Sequence, residues 1–181
     1  MDDAITHLST AERKRDSHVR FRPGEPRGRR RSRGNKRVSG SALYNRDILR
    51  LATALVANDR LDNPDGSAEV RSPICGSRMQ ADVMTDARGH ICGLALRANA
   101  CALGQASAAI LRQNADGLSL SMLNELRDGI AHALKREGAM PDIWPELDLL
   151  SAASDYPSRH AAILLPYDAV LAAAQNIKEK S

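Results

Sequence analysis

The stretch RMQADVMTDARGHICGLALRA, residues 78–98, decides the fold. Its two halves interleave Met, Val, Ile, Leu and Ala with polar residues, and DARGH between them suits a hairpin turn. The spacing therefore predicts two antiparallel strands, 78–86 and 90–98. A period of two then assigns faces. In the second strand it groups Cys92 with Leu94 and Leu96, opposite Ile91, Gly93 and Ala95, and so places Cys92 in the core. Just upstream, AEVRSPI at 68–74 has the same character and supplies a third strand.

Outside these strands the period lengthens to that of helices. Before them, Leu43, Ile48, Leu51, Leu55 and Val56 fall on one stripe while Arg46, Asp47 and Arg50 face away, which predicts a helix over 41–58 that stops at NDRLDNPDGS. After them, CALGQASAAILRQN (101–114) and SLSMLNELRDGIAHALKRE (119–137) read as helices, the second introduced by Ser119 to Ser121. A loop with Gly138 and Pro141 leads to a short helix near WPELDLLSAAS. A last helical stretch begins after Pro157, with Pro166 as a kink or a restart. One helix, three strands and then helices imply an α+β domain: a small three-stranded antiparallel sheet with helices packed on one face.

Composition bounds the function. The 181 residues suit one domain, and 43% hydrophobic residues suffice for a core, but aromatics are only 3%, so a platform for stacking nucleic-acid bases is not expected. No apolar run reaches the length of a membrane span and no secretory leader is evident, so the chain reads as cytoplasmic. Residues 1–40 hold twelve of the 26 Lys and Arg but only five of the 22 Asp and Glu; with Gly, Pro and Arg dominating, they read as a disordered basic tail ahead of a domain spanning 41–178. Such a tail is either a solvated extension or a salt-sensitive grip on phosphates. No Gly-rich phosphate loop, HExxH or spaced carboxylate pair points to an enzyme.

Three cysteines, at 75, 92 and 101, lack CxxC spacing and leave metal binding or thiol chemistry open. Cys75 follows a strand in PICGS, a turn that presents its side chain. Cys101 stands where a strand passes into a helix, and the unpaired N–H groups of a helix start favour the thiolate that binds metal or attacks. The pattern alone leaves open whether these two residues share one end of the sheet.

Four segments carry a family resemblance. YNRDILRLA, SPICGSRMQADV, ANACALGQASAAIL and YPSRHAAILLPYDAVLAA are similar, in this order, to segments of the U-type iron–sulfur cluster assembly scaffolds, the group of IscU, SufU and the N-terminal domain of NifU, with the ending nearest that of SufU. The resemblance spans about Leu43 to Asn176 and implies the SufE/NifU-like fold, convergence of the two loop cysteines, and a site of three Cys and one Asp that holds zinc or a nascent cluster. It also implies a cysteine desulfurase and other assembly proteins as partners, with a homodimer among the candidates. Position by position, Cys75 and Cys101 match two ligands, Ser77 stands at the Asp position, and Ala162 stands where the third Cys is expected; His160 is a candidate substitute ligand. The implied function is a scaffold-like protein that binds iron or zinc or accepts sulfur through a weakened site. The alternatives are a non-metal-binding docking or regulatory partner of the same machinery, and a thiol-dependent redox enzyme using Cys101.

Overall fold

The computed structural model describes residues 43–55, 60–73 and 76–177. The expectations for residues 1–40, and for Cys75 itself, lie outside them.

The helix expected over 41–58 is interrupted: Leu43 is helical, Tyr44 and Asn45 are not, and α1 (Arg46–Ala54) starts afresh with Asn45 as its cap, whose carboxamide oxygen accepts from the Ile48 amide at 2.9 Å. Leu55 is already extended, which ends the helix there among the described residues. The strands follow as β1 (Gly66–Arg71), β2 (Arg78–Thr85) and β3 (Ile91–Asn99), in the order β1-β2-β3 and antiparallel throughout. β1 begins two residues earlier than its pattern suggested and stops at Arg71, where Ser72 turns the chain: its amide donates to the Ser77 carbonyl at 2.8 Å.

Ala68, Val70, Met79, Ala81, Val83, Leu94 and Leu96 form the core side of the sheet. Two helices pack against it: α2 (Ala102–Asn114) lies on β3, while α3 (Leu120–Leu134) and a 3-10 segment (Pro145–Asp155) pack on α4 (Pro157–Gln175), which lies on β1 and β2; α1 packs on α2. Pro166 does not restart α4, which runs through it as one helix. Proline has no N–H to offer the carbonyl four residues back, that of Ala162. Gly104 of α2 fits closely over that freed oxygen: a methyl group on it would stand 2.9 Å away. Beside it, the Ser107 hydroxyl donates to the Ile163 carbonyl at 2.7 Å.

One expected face is overturned. Met84 pairs with Gly93 but Thr85 with Ile91, so Cys92 is the extra residue of a β-bulge. A bulge breaks the alternation, and Cys92 is exposed while Ile91 takes the core position at 1% exposure.

On the opposite side of the sheet, Asp82 is the buried acid. Arg60 forks onto it through two hydrogen bonds of 3.0 and 3.1 Å, and the Ser67 hydroxyl adds a third at 2.7 Å. Burial alone would raise the Asp82 carboxyl, but these bonds and the Arg60 charge outweigh it and hold the carboxyl below its usual range.

Candidate functional site

The pairing Arg71 to Arg78 to Asn99 crosses all three strands in one row, so the loop 72–77 leaves the sheet at the end where β3 finishes, two residues before Cys101. Cys101 is the N-cap of α2. Its backbone is extended, its carbonyl accepts from the Gln105 amide at 3.0 Å, and its side chain makes no capping bond. The thiol is half-buried against the core. Gln105 reaches back to the Ala100 carbonyl at 2.9 Å and fixes the entry into the helix.

In the loop, Gly76 adopts a φ of 68°, the left-handed region that glycine tolerates best, and its amide donates to the Ser72 carbonyl at 3.1 Å. Ser77 is buried at 6% exposure. Near the start of α4, His160 is half-buried, and its Nε2–H donates to the Ala153 carbonyl at 3.0 Å, tying the ring to the 3-10 segment. Ala162 is fully buried under α2, where Gly104 meets its carbonyl.

A structural zinc or a thiolate-held cluster wants about four protein donors. Of the positions expected to supply them, Ala162 has no donor, Ser77 offers a weak hydroxyl and His160 has one ring nitrogen committed to the backbone. Among the described residues, no three His, Cys, Asp or Glu side chains lie close enough to hold an ion. The described residues therefore do not fit a self-sufficient four-donor site.

The residue pattern did not single out the arginines beside this end. Arg71, Arg78 and Arg97 share the face of the sheet away from the helices, next to Glu69 and Gln80. Glu69 binds Arg71 and Gln80, each at 2.7 Å. Strand alternation was the signal that could have found them.

No protein-family model matches the chain, and no curated protein matches it. Solved structures do. The N-terminal part of a nitrogen-fixing NifU-like protein from Brucella abortus superposes with a TM-score of 0.71 at 32% sequence identity, over 78% of this chain and 98% of that one. A candidate iron–sulfur cluster assembly scaffold protein for the SUF system from Fervidobacterium islandicum superposes at 0.68 with 16% identity, over 75% and 99%.

Proposed function

This chain belongs to the family of NifU-like N-terminal domains, and on that premise we propose that it is a scaffold-like protein of iron–sulfur cluster assembly, handling sulfur or metal at the end of the sheet that carries Cys101. The observation that carries this reading is the strand register, which brings the loop 72–77 and the α2 N-cap to one end. Cys101 and Cys75 are its working groups. Thiolates are soft donors toward iron and zinc and nucleophiles toward a persulfide, so the same pair suits either cargo. With Ala162 silent, the chain holds metal weakly or together with donors from a partner. A cysteine desulfurase is the expected source of sulfur, and the protein acts in the cytoplasm without an enzymatic step of its own.

Purification without oxygen, followed by reconstitution with iron and sulfide and elemental analysis, tests this. Iron, zinc or sulfide bound by the wild type and lost from Cys75→Ser/Cys101→Ser is the expected result; equal contents in the two proteins would end the metal reading.

A second reading is favoured by the sealing of Ala162 and the engagement of His160. Here the domain docks on the assembly machinery without carrying cargo. Its signature is a complex with a cysteine desulfurase that survives loss of both thiols, and a complex that needs them removes it.

A further inference from the structure

We propose that the bare half of the sheet's outer face, built on Arg71, Arg78 and Arg97, docks an acidic surface of a partner protein. This inference stands apart from whether the thiols carry cargo.

The outer face is divided. Toward the hairpin, residues 60–65 lie over it: Arg60 pairs with Asp82, Asp65 accepts from the Thr85 amide at 2.8 Å, and Leu61 approaches Gly93. Toward Cys101 nothing among the described residues covers it, and Arg71 and Arg78 are exposed there. These two stand directly opposite each other in the register, an arrangement that costs stability because like charges face across the strands. Arg71 is compensated by Glu69, at 2.7 Å. Arg78 makes no ion pair among the described residues but lies close enough to Glu69 for its charge to help lower that carboxyl, behind the hydrogen bonds from Arg71 and Gln80; Arg97 lies one pair along, opposite Gln80. Three arginines against the one carboxylate of Glu69 leave an excess of positive charge on a polar surface that ends two residues before Cys101.

Such a face suits charge complementarity more than apolar burial, the character of a transient, salt-sensitive contact. A protein is favoured over nucleic acid because the three strands carry no aromatic residue for stacking and because the carboxylate of Glu69 sits among the arginines.

The test is titration of the isotopically labelled full chain with a Glu-rich synthetic peptide, followed by NMR of backbone amides and arginine side chains. Shifts should map to residues 69–71, 78–80 and 97–99, weaken with added salt, and lose about tenfold in affinity in Arg78→Glu/Arg97→Glu. Glu at position 78 faces Arg71 as an opposite charge, so the variant should melt no lower than the wild type, which separates lost docking from lost folding. Shifts confined to residues 1–42, or unchanged affinity in the variant, overturn the proposal. So does duplex DNA or a phosphatidylserine vesicle perturbing this face at a lower concentration than the peptide.

Discussion

Replacing Tyr167 with Phe should make the protein more stable. Tyr167 lies on α4 with none of its surface exposed, and its hydroxyl has no hydrogen-bond partner among the described residues. Ser107 is the nearby polar group, but its proton is committed to the Ile163 carbonyl at 2.7 Å. Burying an unbonded hydroxyl costs about 1–3 kcal/mol. Phe removes that cost and leaves a gap on the order of 10 Å³, which at about 24 cal/mol per Å³ returns only a few tenths of a kcal/mol. The net gain is about 1 kcal/mol, read as a rise of about 2–4 °C in Tm for a domain of this size. Alkaline pH supplies a second, independent reading. Burial pushes the Tyr167 phenol up. Above about pH 10 the unfolded chain releases this proton while the folded chain keeps it, so stability falls as pH rises, by up to about 1.4 kcal/mol per pH unit. The Phe variant lacks this loss, and its advantage over the wild type should widen above pH 10. Urea denaturation at pH 7 and across the alkaline range measures both effects. A Phe variant less stable than the wild type at pH 7, or an advantage that does not grow with pH, would refute the reasoning.

Asp82→Asn should cost about 1–2 kcal/mol at pH 7 by weakening the contacts with Arg60 and Ser67, a figure kept low because the Arg60 side chain is 59% exposed. Because the folded carboxyl is held low, its contribution is present above the ordinary value of about 4 and lost as pH falls below it; denaturation at pH 7 and pH 3 should show the two proteins converging. Gly104→Ala should destabilise by about 1–2 kcal/mol in a thermal melt despite the better helix former, because the new methyl meets the Ala162 carbonyl at 2.9 Å and the Ala100 methyl at 3.0 Å, and neither is a flexible side-chain end. Ala162→Cys combined with Ser77→Asp should raise bound zinc toward about one per chain, at an overpacking cost of about 1–3 kcal/mol; elemental analysis showing no gain would mean that this end of the fold no longer supports a four-donor site.

The sheet was legible because alternation and the DARGH turn are local signals, and the Asp86 side chain secures that turn by accepting from the Arg88 and His90 amides, each at 2.9 Å. The start of α3 was equally legible: the Ser119 hydroxyl accepts from the Met122 amide at 3.2 Å. Cys92 was misread because a bulge leaves no mark in composition. Its trace was the pair of apolar residues Ile91 and Leu94, three apart in a strand, which cannot share a face unless one residue is inserted. The helix drawn over 41–58 hid a break at Tyr44 and Asn45, because Leu43 continues the apolar stripe while Asn45 holds the cap of α1.

Convergence at one end was more legible than the residue pattern suggested. Three consecutive antiparallel strands run up, down and up, so the turn after β1 and the end of β3 must lie on the same edge, whatever the side chains are. The third contributor obeys no such rule. Ala162 is held in the interior where Gly104 lets α2 close over its carbonyl and Ser107 ties down the next residue, both contacts between residues more than fifty positions apart, while Pro166, four residues on, leaves that carbonyl free. The position at which the sequence resemblance leads one to expect a thiol is here part of the interior. The helix packed over it is the one that Cys101 begins, so Ala162 adds packing and no donor beside that thiol, and the loop 72–77 is the nearer source of a further donor at this end.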